Sequence, residues 1–429
     1  MIVNITGMHR SGTSMVARIL NMCGLYLGPE ERIMPPDEGN PAGYWQNLDM
    51  DGLTEAILAH LSGGWDFLLP PMPPNWEKYS DMVPFRKRAG ILIQNMRERE
   101  PWGWKDPRCS LTLPFWKSML PGLRVIVCLR NPVEAARSIT HHVGSTDAFN
   151  YNLWLRYYER ILADTDDNER LITHYDMFFL EPAAELERIL GWLGWSVSGA
   201  QVSAALDTIS DSLRQQRLSP AELETAKVPE AVVEAYDRLC QDGGEALISA
   251  LDERLIPRLS VSAAGTDELP PTDTTPPEQK RDAERSFERA QQLIIQGLPH
   301  EALELFRIAV TQHPFHARAH NDLGVLLLAE SNHEQALSHL AAALKLDPHN
   351  SDTAKNLAGA YLKVGRTEDA IQTFLDIVYH HPHDVEALFW LGTACSQLGQ
   401  REQATTLFTR VLELEPDHTP AQAALKGLQ

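Results

Sequence analysis

The chain has 429 residues, 43% hydrophobic and 22% charged, which is enough for one to three domains with sizeable cores. Its formal net charge of −20 argues against a general nucleic-acid binder, because a phosphate backbone demands a basic face; a local basic pocket remains compatible with that total. Five scattered cysteines (Cys23, Cys109, Cys128, Cys240, Cys395) form no CxxC pair, which predicts small buried hydrophobes in a reducing compartment and no structural zinc.

Met1 to Ile5 read as a short apolar strand, Gly7 to Ser14 as a tight polar turn with two glycines, and Met15 to Cys23 as a helix. Strand, Gly-bearing loop and helix build a phosphate cradle, with loop N–H groups and a helix N-terminus aimed at one anion. The loop has the G-x-x-x-x-G frame of a nucleotide P-loop, but Thr13 stands in the place of the lysine and the charge sits at Arg10. That departure points away from a nucleoside triphosphatase and towards another phosphate-bearing ligand. No signal peptide is expected ahead of this strand, and no apolar run approaches the ~20 residues that cross a bilayer.

Gly24 to Trp65 is rich in Pro, Gly and acids and reads as a long loop entering a helix over Asn47 to Leu61. Open α/β sheets place substrate at such loops. Residues 62–76 form a Pro-rich apolar loop packing two tryptophans, and Asp81 to Glu100 an amphipathic helix with Ile91, Leu92 and Met96 on one face. Pro101 to Arg108 would end the next strand. Leu123 to Leu129 is a buried-strand run followed at once by Arg130-Asn131-Pro132 and a helix carrying Arg137 and Ser138. A strand-end Arg and a Ser on the following helix can hold a second phosphate.

Residues 150–258 read as helices over Asn150 to Ala163, Pro182 to Leu193, Pro220 to Leu239 and Glu245 to Leu259, with a strand at Arg170 to His174. Tyr175 closes that strand and is expected to pack on the nucleotide loop. Arg214 and Arg217 are late basic residues within reach of the second phosphate, or part of a solvated face. The 16 histidines show no HExxH or HxH pair near the loops, and His141 and His142 are helix neighbours that point apart, so no metal is expected.

The expected domains are 1–258, a flexible Pro/Thr/Ser/Asp-rich linker over 259–281, and an all-helical region over 282–429. The last region repeats every 34 residues, the period of tetratricopeptide helix pairs. Pro recurs at 314, 348, 382 and 416, and Ala at 302, 336, 370 and 404. The helix turn falls on Gly297, Ser331, Gly365 and Gly399. Small residues (Ala290, Gly324, Ala358, Gly392) mark the close approach of paired helices, and Phe306, Leu340, Phe374 and Phe408 fill the gap. Four repeats, 283–316, 317–350, 351–384 and 385–418, would stack into a solenoid with a concave groove for peptides, or serve dimerisation or stability.

The Arg10-Ser11-Gly12-Thr13-Ser14 loop resembles the 5′-phosphosulfate loop of sulfotransferases that use 3′-phosphoadenosine 5′-phosphosulfate (PAPS), and Arg130-Asn-Pro with Ser138 resembles their 3′-phosphate motif. Trp104-Lys105-Asp106-Pro107 is similar to a Lys-Asp-Pro segment of the tyrosylprotein branch and of many bacterial members, and Thr173-His-Tyr175-Asp176 to their Arg-Tyr-Glu-Asp strand. The resemblance covers about residues 1–255. It implies a P-loop-like α/β domain with a central parallel sheet flanked by helices, ahead of the all-α tetratricopeptide solenoid. It further implies PAPS as cosubstrate, 3′,5′-adenosine bisphosphate as product, no metal, and a cytoplasmic location.

Under that resemblance Arg10, Ser11, Gly12, Thr13, Ser14, Arg130 and Ser138 bind the nucleotide. Arg10 and Lys105 stabilise the charge that builds on the sulfonate and the bridging oxygen. A base must take the acceptor's hydroxyl proton. Glu30-Glu31-Arg32-Ile33-Met34-Pro35 is similar to the stretch carrying it in tyrosylprotein sulfotransferases, one residue shorter, which makes Glu31 the first candidate, with Asp49 and Asp51 behind it. In many bacterial relatives the acid follows Gly-Tyr-Phe/Trp; here Gly43-Tyr44-Trp45 is followed by Gln46, which cannot be a base. Asp106 is expected to orient Lys105 or Arg108. The acceptor is a hydroxyl of a saccharide, lipid, metabolite or protein tyrosine, with the repeats recruiting acceptor or partner. The alternatives are a catalytically weakened nucleotide-binding scaffold and a nucleotide-dependent kinase.

Overall fold

The computed structural model describes residues 1–37, 40–61, 72–143, 145–210, 214, 217–219, 222–223, 226, 228–253, 256, 259 and 272–428. The chain divides into two compact units, Met1–Ser262 and Ala263–Gln429.

In the first unit four short strands, β1 (Ile2–Thr6), β2 (Trp102–Lys105), β3 (Arg124–Leu129) and β4 (Arg170–His174), pair in parallel in the order β2-β1-β3-β4. Parallel sheets are covered on both faces, so their strands read as continuous apolar runs with the alternation hidden inside. Val125, Val127 and Leu129 enter one core while Ile126 and Cys128 enter the other, as the two-residue period of a strand requires. The first core packs helices α2 (Leu48–His60), α3 (Val83–Met96), α4 (Cys109–Met119), α5 (Pro132–Val143) and α6 (Asp147–Asp164); the second packs α1 (Thr13–Met22) and the segment around Pro182–Leu193. Connections leave β1 and β3 towards opposite edges, so a crevice opens at their carboxyl ends, where such sheets bind ligands.

Three segments differ from the sequence reading. The amphipathic helix is shorter, Val83–Met96, and it buries Ala89, Ile93 and Met96 while Ile91 is 62% exposed, because Ile91 lies two residues before Ile93, about 200° round the helix. Helix α4 gave no periodic signal: Cys109 to Leu113, Phe115 and Trp116 are all buried, and Pro114 sits inside it. A helix buried all round has no polar stripe to betray it. The late helices are Glu230–Asp242 and Glu245–Asp252, shorter than expected. Parts of the expected segments over 62–76, 214–239 and 245–281 lie outside the described residues. All five cysteines are buried and free.

The second unit is a run of antiparallel helix pairs beginning at Pro277–Ile295, which starts inside the expected linker because proline suits the first turn of a helix. The four predicted helix turns are left-handed, with φ of 77° at Gly297, 64° at Ser331, 76° at Gly365 and 75° at Gly399. The predicted small-to-large contacts form. A β-carbon on Gly324 would lie 2.6 Å from the Leu340 side chain, and one on Gly392 would lie 2.8 Å from the Phe408 ring. The last helix, Thr419–Leu428, buries Ala421. Among the described residues, no helix is long and apolar enough to cross a membrane.

Candidate functional site

All four strand ends of the first unit converge on one cavity of about 350 Å³. β1 delivers His9, Arg10, Gly12, Thr13 and Ser14; β2 delivers Lys105, Pro107 and Arg108; β3 delivers Arg130; β4 delivers Tyr175. Met34, Asn40 to Tyr44, Gln46 and Asp51 of α2 add to the wall.

The loop after β1 is pinned from beneath. Thr6 Oγ1 lies 2.8 Å from Ser110 Oγ, and the Gly7 N–H donates to Ser110 Oγ at 3.3 Å. Ser11 is buried under the turn beside the Tyr158 hydroxyl, which donates to the Cys128 carbonyl at 2.6 Å. Gly12 has φ 90° and passes so close to Tyr175 that a β-carbon would lie 2.6 Å from its ring. Tyr175 therefore packs on the loop as expected. Gly12 also caps α1 without any side-chain hydrogen bond, which leaves first-turn N–H groups available to an anion.

The two predicted phosphate motifs meet. Arg10 Nε donates to Ser138 Oγ at 2.9 Å, and Arg130 Nη1 donates to the Arg10 carbonyl at 3.2 Å. Arg130 is buried, stacks over Tyr175 at 4.5 Å and pairs with Glu134 at 3.0 Å. Burial first, then the neighbouring Arg130, disfavours the charge of Arg10. A buried and a half-buried guanidinium held side by side are relieved by an incoming anion.

Lys105, 2% exposed, donates to Gln46 Oε1 at 2.6 Å and faces the Tyr44 ring at 6.0 Å. Burial pushes its ammonium down from 10.5 to about 8, against the pull of Asp106 and Asp51. Gln46 Nε2 donates in turn to Asp51 Oδ1, which also receives Arg108 Nη2. Asp106 Oδ1 accepts from the Arg108 N–H at 2.9 Å and from its Nε at 3.3 Å, so Asp106 orients Arg108. His9 is half-buried on the cavity wall, and desolvation there, followed by Arg108, Lys105 and Arg10, drives its imidazolium well below the usual range, which keeps the ring neutral.

Of the sequence candidates, Arg10, Gly12, Thr13, Ser14, Lys105 and Arg130 line the cavity; Ser11 lies beneath the loop, and Ser138 is engaged by Arg10. Glu31 is exposed on a 3₁₀ turn, Glu30–Arg32, and does not line the cavity. Asp49 is bound by Arg32, with the Nε of Arg32 at 2.9 Å. Asp51 is the carboxylate of that group which reaches the wall. Arg214 is committed to Asp176 and the Phe179 ring, and Arg217 is exposed. Sequence reasoning gave no site role to His9 and Tyr158 and named Arg108 only as a partner of Asp106. Adjacency to Arg10 and Pro107 is the signal that points to His9 and Arg108, whereas Tyr158 reaches Ser11 from 147 residues away. Among the described residues, no group of three or more His, Cys, Asp or Glu could hold a metal ion.

Residues 3–199 match the model of the sulfotransferase family, and three tetratricopeptide-repeat models match 287–351, 327–382 and 385–418. The N-terminal unit carries a sulfotransferase-family domain, fused to tetratricopeptide repeats. A 105-residue stretch is 29% identical to superkiller complex protein 3 of Homo sapiens, covering 24% of this chain and 6% of that protein. Superkiller protein 3 of Schizosaccharomyces pombe is 26% identical over 106 residues, 25% of this chain and 8% of its own length. The chain thus spans less than a tenth of these relatives. Among solved structures, MamA (41-end) from Desulfovibrio magneticus RS-1 aligns over 34% of this chain and 83% of its own at 20% identity and a TM-score of 0.33. YrrB, described as a TPR protein with an unusual peptide-binding site, aligns over 35% and 78% at 22% identity and a TM-score of 0.33.

Proposed function

We propose that the N-terminal unit is a transferase that moves the sulfuryl group of PAPS to a hydroxyl acceptor and releases 3′,5′-adenosine bisphosphate. The reading is carried by the junction of the two phosphate motifs, where Arg10 bonds Ser138 and Arg130 bonds the Arg10 carbonyl on the wall of one cavity. A nucleotide bearing phosphates at two places suits such a pair. The uncapped first turn of α1 and Arg10 serve the 5′ end, and Arg130 with Ser138 serves the 3′-phosphate. Lys105, held in a dry site with its charge only partly compensated, stabilises the charge that develops as the sulfur–oxygen bond breaks. The tetratricopeptide array recruits the acceptor or a protein partner.

The test is calorimetric titration of the full chain with 3′,5′-adenosine bisphosphate in EDTA, beside ATP with magnesium. Tight binding of the bisphosphate without metal is the expected result. Binding of ATP-magnesium alone would replace this reading with a kinase. Bisphosphate binding without any PAPS cleavage would leave a nucleotide-binding scaffold.

A further inference from the structure

The side chain that looks like a lost base in the sequence occupies the centre of a continuous relay. Lys105 Nζ donates to Gln46 Oε1 at 2.6 Å, Gln46 Nε2 donates to Asp51 Oδ1, and Arg108 Nη2 donates to the same oxygen. All four residues line the one cavity. Both donors converge on Oδ1, and among the described residues no donor reaches Asp51 Oδ2. The other carboxylates near the wall are committed or distant from it. Asp49 is held by Arg32, Asp106 orients Arg108, Asp37 accepts the Tyr44 hydroxyl at 2.9 Å, and Glu31 does not line the cavity.

We infer that Asp51 is the base that takes the proton of the acceptor hydroxyl, and that Gln46 is the positioning residue that couples this carboxylate to Lys105. The inference rests on the donor assignment proposed above. A primary amide accepts through its oxygen and donates through its nitrogen, so Gln46 satisfies an ammonium and a carboxylate at once without adding charge. A glutamate at position 46 would hold Lys105 but confront Asp51 with a like charge. In this chain the acid stands in the first turn of α2, and the Gln46 amide joins it to Lys105.

The step balances. The acceptor O–H proton passes to Asp51 Oδ2, and the acceptor oxygen forms a bond to sulfur. The bond from sulfur to the bridging phosphate oxygen breaks, and its electron pair stays on that oxygen beside Lys105 and Arg10.

The experiment follows bisphosphate release from PAPS, with water as the acceptor and with 2-naphthol added, alongside bisphosphate affinity. D51N is expected to slow release by about 100-fold or more, the usual contribution of a positioned base, while affinity stays within about threefold. D51E, which keeps the carboxylate, is expected to recover part of the rate. Full release in D51N, or equal loss in D51N and D51E, overturns the base. For Gln46 the readout is the pH–rate profile. Q46E is expected to move the alkaline limb upward, because a carboxylate holds the ammonium, and Q46A to move it downward, because an acceptor is lost. Limbs that stay fixed while the rate falls overturn the positioning role. A wild-type chain that binds the bisphosphate but cleaves PAPS no faster than buffer also overturns the inference. Failure to bind the bisphosphate overturns instead the donor assignment beneath it.

Discussion

Arg10 Nε donates to Ser138 Oγ across 128 residues of sequence, and the carbonyl of the same Arg10 receives Arg130 Nη1. One residue of the first loop is thus clasped from both sides by the second motif. Arg10 sits at φ 67°, a left-handed conformation that a non-glycine residue adopts at some cost, and the two bonds from the second motif hold it there.

Arg130 has two duties that can be separated. Its guanidinium pairs with Glu134, whose Oε1 also receives the Leu218 N–H, and both partners are buried. Arg130→Ala should weaken 3′,5′-adenosine bisphosphate binding by tenfold or more. It should also cost about 3–5 kcal/mol of stability, because Glu134 is left charged and buried. Adding E134Q should restore most of the stability and none of the affinity, as urea unfolding and calorimetry together would reveal.

The loop tolerates no β-carbon at Gly12. Alanine there would meet the Tyr175 ring at 2.6 Å in a backbone conformation that side chains rarely adopt. Gly12→Ala should destabilise by about 1–3 kcal/mol and displace Tyr175 from its stack with Arg130, so bisphosphate affinity should fall with the melting temperature. An alanine variant with unchanged melting and binding would mean that the ring does not bear on the loop.

The depressed ammonium of Lys105 predicts a pH dependence with a definite sign. The folded state holds this proton less tightly than the unfolded chain, with a value of about 8 against 10.5. The burial penalty is therefore fully present below about pH 8 and is relieved as the pH rises towards 10.5. Relative to K105M, the wild type should gain about 3 kcal/mol of stability across that window. Denaturant unfolding of both proteins from pH 7.5 to 10.5 measures it. Under the proposed mechanism, activity should fall over the same range as Lys105 loses its charge, so stability and rate move in opposite directions.

In the repeat unit Ser331 takes the left-handed helix turn that glycine takes in the other three repeats. A left-handed non-glycine residue costs ~1–2 kcal/mol, partly offset by the ~0.5–1 kcal/mol of backbone freedom that glycine loses on folding. Ser331→Gly should therefore stabilise the array by about 0.5 kcal/mol, visible as a higher midpoint in urea with an unchanged slope.

Local chemistry was legible wherever it is continuous in the chain. The β1 loop, the Arg130-to-Ser138 segment, the end of β2 and the 34-residue repeat are each written within a few tens of residues, and each lies where its pattern predicts. Helix α4 escaped because residues 109–113 are buried on every side of it, and Ile91 was misplaced because one apolar stripe was chosen over its neighbour on the same helix.

What the sequence determined alone was therefore the architecture and the place of the two candidate loops at the strand ends, since strand burial, glycine turns and repeat phase are local demands on the backbone. It could not place the carboxylates. The resemblance puts Glu31 first, with Asp49 and Asp51 behind it, and leaves Gln46 as an amide that cannot be a base. Only the tertiary structure left Glu31 exposed on its own turn, gave Asp49 to Arg32, and joined Asp51 to Lys105 through the Gln46 amide. A carboxylate's role depends on which donors occupy its oxygens, and those donors are brought to it by distant segments of the fold.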